Sequence, residues 1–190
     1  MAGDNLNTFE TICLSLESSV ARKKSMLDIF SRINIPPKFF TASTPEDLTQ
    51  DDRDFFSSCD FYDWDINQEA VMATFKSHLR ILNYAVDKNQ NLLVLEDDID
   101  YVKSIDFNSI DFSTFDLFIL GTERSCYSYF ISAEGASKAL AELNSKTITQ
   151  AFDWELSKLS TVNKVIADQA YFIQHHKLPS TIAPNGYIRK

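Results

Sequence analysis

Apolar residues follow two rhythms along this chain. At Thr11-Ile12-Cys13-Leu14-Ser15-Leu16, Leu92-Leu93-Val94-Leu95, Asp116-Leu117-Phe118-Ile119-Leu120-Gly121 and Tyr127-Ser128-Tyr129-Phe130-Ile131-Ser132 they run with little polar interruption. Such runs suit strands covered on both faces, as in a parallel or mostly parallel sheet. Between them the apolar positions recur at helical spacing: Val20, Met26, Leu27, Phe30 and Ile33; then Val71, Phe75, Leu79, Leu82 and Val86; then Ala136, Ala139, Leu140 and Leu143. Ser18 and Ser19 offer caps for the first helix, Asp65 with Gln68 a capping box for the second, and Ser132 a cap for the third. Shorter pieces complete the pattern: strands at Lys38-Phe39-Phe40-Thr41, Val165-Ile166-Ala167 and Ala170-Tyr171-Phe172-Ile173, a helix around Phe152-Asp153-Trp154-Glu155-Leu156, and a polar tail from Gln174. The opening strand, helix, strand order favours a right-handed parallel crossover. The expectation is an α/β protein with a central, mostly parallel sheet flanked by helices.

The chain's 190 residues suit one domain with a substantial core. Fifteen phenylalanines make that core largely aromatic. Residues 43–65 form a long, partly helical connection in which Phe55, Phe56, Phe61, Tyr62 and Trp64 either pack in a satellite core or, in the case of Trp64, stack on a ring. A formal net charge of −9 argues against nucleic acid or an anionic membrane surface as partner. Cys13, Cys59 and Cys126 are far apart and lack metal-ligand spacing, so they read as reduced thiols. There is no basic segment followed by an apolar run at the start, and no apolar stretch of about 18 residues, so the expected setting is cytoplasmic, with no transmembrane segment.

Candidate chemistry gathers at one place. Asn91-Leu92-Leu93-Val94-Leu95 runs directly into Glu96-Asp97-Asp98-Ile99-Asp100. If the backbone stays extended there, Glu96, Asp98 and Asp100 share one face and Asp97 takes the other. Converging carboxylates repel unless a cation neutralises them, and hard oxygen ligands favour magnesium or manganese. The alternative is a solvated acidic turn. With only four glycines, Gly3, Gly121, Gly135 and Gly186, neither a dinucleotide fingerprint nor a P-loop is available. His78 adjoins the apolar stripe of the second helix, as a packing histidine or a ligand; Arg22, Lys23 and Lys24 are a solvated helix face or a phosphate contact.

Several segments together resemble glycosyltransferase family 25, the lipooligosaccharide and procollagen galactosyltransferase group: the first strand and basic helix from Ile12 to Lys24, Ser77-His78-Leu79-Arg80-Ile81-Leu82, Leu93 to Asp98, and Tyr129-Phe130-Ile131-Ser132 with the Gly135-Ala136 helix that follows. Phe152-Asp153-Trp154 is a weaker match. The chain departs from the family at Ser15-Leu16, where Asn-Leu is usual, and between Glu69 and Thr74, where a Gly-x-x-Gly-Cys segment is usual. The resemblance implies a single GT-A-type nucleotide-binding domain and inverting transfer of a sugar from a nucleotide-sugar donor, usually a UDP-hexose such as UDP-galactose, to a hydroxyl of a glycan or glycoprotein acceptor. It implies a Mn2+ or Mg2+ ion held by Glu96, Asp98 and Asp100, donor contacts from Ser15, Arg22, Glu96 and Asp97, and Asp153 as general base, with Glu155 as its rival and simple helix capping as the alternative for Asp153. His175 or His176 would be late metal or diphosphate contacts, or surface. Two other readings stay open: a non-catalytic relative that binds nucleotide or glycan, and a receiver-like phosphotransfer domain, which Leu93 to Asp98 also resembles.

Overall fold

A computed structural model of the chain describes residues 9–36, 38–58, 67–107, 110–111, 113–121 and 127–174. Strand β1 (Phe9–Ser15) leads through helix α1 (Val20–Ile33) to β2 (Phe39–Thr41). A 3-10 turn (Pro45–Asp47) and the short helix α2 (Gln50–Phe55) precede the long helix α3 (Gln68–Lys88). Then come β3 (Asn91–Glu96), β4 (Ile99–Tyr101), β5 (Leu117–Ile119), β6 (Ser128–Ile131), α4 (Ala133–Ser145), α5 (Phe152–Lys158), β7 (Lys164–Ile166) and β8 (Phe172–Gln174).

Six strands form the main sheet in the order β2-β1-β3-β6-β5-β7. β1 pairs in parallel with β2 and with β3, and β5 in parallel with β7; β6 alone runs against its neighbours β3 and β5. This is the mostly parallel α/β architecture that the apolar runs predict. Both faces of β3 are covered, as its unbroken apolar run requires: Leu92 and Val94 pack with α3, α4 and α5, while Leu93 and Leu95 pack with α1, Phe130 and Phe172. The cores are aromatic on both sides. Phe75 meets Phe56 at 5.0 Å and Phe152 at 5.3 Å, and Phe130 meets Phe9 at 5.1 Å, all with tilted or edge-on rings.

Helix ends follow local chemistry. α1 and α3 stop at Asn34 and Asn89, which take left-handed conformations at φ 55° and 48°, a role asparagine tolerates in place of glycine. Ser132 accepts a hydrogen bond from the Gly135 N–H and so starts α4. Two expected caps differ. Ser19 precedes α1 without a side-chain cap bond, and α3 is capped by Asn67, which accepts from the Ala70 N–H; Asp65 lies outside the described residues, as do Phe61, Tyr62, Trp64, Cys59, Cys126, His175 and His176. The connection after β2 is partly helical as expected, with Thr49 and Asp52 forming a reciprocal capping box.

The largest departure follows β3. The chain does not stay extended through the acids: it turns at Asp97 and Asp98 and re-emerges as β4, which pairs antiparallel with β8 in a separate two-stranded sheet. Gln174, expected to open a polar tail, is the last residue of β8. Among the described residues no helix is long and apolar enough to cross a membrane.

α4 lies so close to the sheet that a Cβ on Gly135 would sit 2.4 Å from the Asp116 carbonyl oxygen. Backbone cannot yield as a side chain would, so Gly135→Ala should lower unfolding stability by about 1–3 kcal/mol. Urea denaturation checks this through a lower midpoint at unchanged slope.

Candidate active site

The carboxyl ends of β1 and β3, the first turn of α1 and residues 42–46 enclose a cleft of about 290 Å3. Open α/β sheets place ligands at this edge. Ser15 ends β1, and its hydroxyl donates to Asp97 Oδ2 at 2.5 Å. Arg22, on the first turn of α1, donates through a guanidinium nitrogen to Asp97 Oδ1 at 2.8 Å and lies 3.7 Å from Asp98 Oδ2. Asp97 is therefore held on both oxygens by the protein, and it is buried. Lys24 is exposed, and Lys23 donates to the Glu17 carbonyl at 3.0 Å, so of the three basic residues only Arg22 faces the acids.

Asp98 is also buried. Gln174 of β8 donates to its Oδ2 at 3.3 Å, while its buried Oδ1 has no hydrogen-bond partner among the described residues. Burial raises the Asp98 carboxyl above its usual range, against the opposing pull of Arg22 and Gln174. Glu96, at the end of β3, is driven further up: burial dominates, and the negative charges of Asp98 and Asp97 add to it. Its side chain still shows 31% of its surface on the cleft side, which leaves it open to a ligand. Three carboxylates here face one guanidinium, a surplus of negative charge that a cation would relieve.

The Ser77 to Arg80 segment explains how this edge is braced. Ser77 accepts from the Ser43 N–H at 2.8 Å and donates to the Ala73 carbonyl at 2.7 Å; Arg80 donates to the Thr41 carbonyl and to Ser43 Oγ. α3 thereby pins the cleft wall. Between them in sequence, His78 turns inward with 1% exposure. Its Nε2 is 3.2 Å from Glu96 Oε1, its Nδ1 is 3.0 Å from the Tyr129 hydroxyl, and its ring stacks on Phe152 at 4.2 Å.

Asp153 lies in the first turn of α5, with Oδ1 accepting from the Trp154 N–H at 2.9 Å. Burial lifts its carboxyl to about 6, with Glu96 adding repulsion and His78 opposing it. Glu155, the rival, faces away: its carboxylate accepts from the Thr149 and Gln150 N–H groups and pairs with Lys146 at 2.9 Å, so it holds the loop before α5. The Lys158 ammonium lies over the Trp154 ring at 5.5 Å.

Of the residues singled out in sequence, Ser15, Arg22, Glu96, Asp97 and Asp98 line one cleft. Asp153 joins them electrostatically through Glu96. Asp100 is displaced: it sits on β4 opposite Ile173, away from the cleft lining, because of the turn at Asp97 and Asp98. Among the described residues no three acidic, histidine or cysteine side chains are gathered closely enough to hold a metal by themselves. Gln174 and Tyr129 were not legible as site residues; each arrives from a strand whose pairing is remote in sequence.

The fold and the cleft define an α/β enzyme with its site at the carboxyl ends of the strands. Residues 9–109 match the family model described as glycosyltransferase family 25 (LPS biosynthesis protein), and since that is more than half of its 190 residues, the chain belongs to this family and is a glycosyltransferase. The match includes Ser15, Arg22, His78 and the acidic strand end, and it leaves the receiver-like reading without support. A solved glycosyltransferase involved in the glycosylation of the major capsid of PBCV-1 aligns with a TM-score of 0.48 and 10% identity, covering 89% of this chain and 94% of that one. No curated protein matches the sequence.

His78 has its imidazole held neutral by burial, at about 3 against an ordinary 6.5. The unfolded chain takes up a proton below 6.5 that the folded ring refuses, so this group withdraws stability as pH falls through that window, by up to about 1.4 kcal/mol per pH unit. Nitrogen-15 shifts of the His78 ring should stay those of a neutral imidazole from pH 8 to pH 5; a titration with midpoint near 6.5 would contradict its burial.

Proposed function

We propose that this protein transfers a hexose from a UDP-sugar, with inversion, to a hydroxyl of a glycan or glycoprotein acceptor, in a reaction dependent on Mn2+ or Mg2+. The observation that carries this reading is the buried Oδ1 of Asp98, without a partner among the described residues, at the wall of a cleft where three carboxylates face one guanidinium. An orphaned carboxylate oxygen among surplus negative charge fits a hard divalent ion, and the donor set of Glu96 and Asp98 is chemically suited to hold it. Bound there, the ion supplies positive charge that offsets the charge developing on a departing nucleotide diphosphate.

This chain's own residues do the rest. Arg22 adds a fixed positive charge beside the same acids, oriented by its bond to Asp97, and Ser15 fixes Asp97 in turn. Asp153 takes the acceptor hydroxyl's proton as that oxygen attacks the sugar's anomeric carbon from the face opposite the leaving group. A carboxyl raised to about 6 suits this task, being ionised at neutral pH yet a stronger base than a solvated aspartate.

Three measurements test the reading. UDP binding by calorimetry should depend on Mn2+ in the wild type and lose that dependence in Asp98→Ala; metal-independent binding, or none, would remove the metal from the proposal. Asp153→Asn should lower turnover by about 10²–10⁴-fold while leaving Mn2+-dependent UDP binding intact. In the wild type, kcat/KM should fall with a one-proton slope below about pH 6, as Asp153 becomes protonated. Unchanged turnover in the Asn variant would eliminate Asp153 as the base, and Mn2+-dependent UDP binding without any transfer or donor hydrolysis would favour a binding protein.

A further inference from the structure

His78 takes no part in the steps above, yet it touches the end of β3 and the start of α5, which carry Glu96 and Asp153. It rises from α3, reaches Glu96 at the end of β3, reaches Tyr129 on β6, and stacks within 4° of parallel on Phe152, the neighbour of Asp153. Both ring nitrogens have polar partners, as burial demands of any imidazole, and what sets this one apart is that one partner is a carboxylate lining the cleft. An ionised carboxylate only accepts, so with Glu96 charged the hydrogen is on Nε2, and Nδ1 then accepts from the Tyr129 hydroxyl. Tyr129 is itself fully buried and paired in register with Val94, so the sheet fixes where that hydroxyl sits.

The geometry points to His78 as a positioning residue: a chain from Tyr129 through His78 to Glu96 aims the Glu96 carboxylate at the cation site, while the stack on Phe152 sets α5, and with it Asp153, at a fixed spacing from Glu96. This rests on the metal reading above. The imidazole is buried and stacked, and it engages one oxygen of Glu96, a residue that also lines the cleft. Groups that hydrogen-bond a metal-ligating carboxylate typically change metal affinity or activity by about 10–100-fold when removed.

The test is Mn2+ affinity of the full chain, with no donor present, measured by electron paramagnetic resonance of the free ion. It compares the wild type with His78→Phe, His78→Gln, Tyr129→Phe and Asp98→Ala, with thermal unfolding recorded for each. His78→Phe keeps an aromatic ring against Phe152 and removes both hydrogen bonds; it should weaken Mn2+ by about 10–100-fold. His78→Gln keeps an N–H donor and loses the stack; it should bind closer to the wild type than the Phe variant does, even if it melts lower. Tyr129→Phe removes a single oxygen and should weaken Mn2+ by about two- to tenfold. It also provides a readout should the Gln variant fail to fold. The reverse ranking, with Phe tolerated and Gln not, would assign the ring to packing alone and overturn the proposal. So would wild-type affinity in both His78→Phe and Tyr129→Phe while Asp98→Ala has lost the ion, an outcome that leaves the metal reading standing. No Mn2+ binding by the wild type, or full binding by Asp98→Ala, would overturn the metal reading and this inference together.

Discussion

Asp97 is the constraint on which the cleft depends. A buried carboxylate is costly unless its oxygens are satisfied and its charge is met, and here Ser15 supplies a short hydrogen bond and Arg22 the counter-charge. Those two partners come from the end of β1 and the start of α1, so a single side chain ties the first crossover unit to the end of the central strand. The turn at Asp97 and Asp98 is held in place by this tie. It leaves Glu96 and Asp98 on the cleft and carries Asp100 off onto another sheet.

The electrostatics around that tie divide the acids by role. The charge of Asp97 is met within the protein, whereas burial raises Asp98 and Glu96, the charge of Asp97 adds to both and that of Asp98 adds to Glu96, and among the described residues Asp98 keeps one oxygen without a donor. The protein thus keeps at a wall of its cleft two carboxyl groups whose charged forms its own described residues do not fully compensate. Such an arrangement is unfavourable for folding alone, and it is intelligible when a ligand completes it. Glu142, Glu155 and Asp116 form the contrast: each is surrounded by backbone N–H donors or lysine, and each holds two pieces of backbone together.

Much of this architecture was legible in the sequence because burial on both faces leaves no freedom in residue choice. The run from Leu92 to Leu95 admits only apolar side chains, and the stripe of Val71, Phe75 and Leu82 faces the core, although Val86 at its end is exposed. The Leu95-to-Asp98 boundary announced a site for the same reason. What stayed hidden depends on contacts between distant residues. No glycine or proline marks the turn at Asp97, which is set by partners 75 and 82 residues away. Arg22 looks like any solvated base on a first helical turn until Asp97 is brought beneath it. His78 looks like core because it is core; its polar partners, 18 and 51 residues away, are what set it apart.

The partner that Gln174 gives Asp98 has a consequence for the order of assembly. β1, α1, β2, α3 and β3 all precede Asp97 in the chain and already place Ser15, Arg22, Asp97 and Glu96 around the cleft. The β4–β8 pairing, by contrast, joins Ile99 to Gln174 and has to wait for residues far along the chain, although its loop of more than seventy residues is no longer than the one closed when Phe9 pairs with Asn91. The N-terminal half can therefore assemble the charged wall early, and Asp98 gains its last protein contact only when the far end of the chain docks. Completion of the cleft then coincides with completion of the fold, and a half-made chain presents its acids without the clasp that β8 provides.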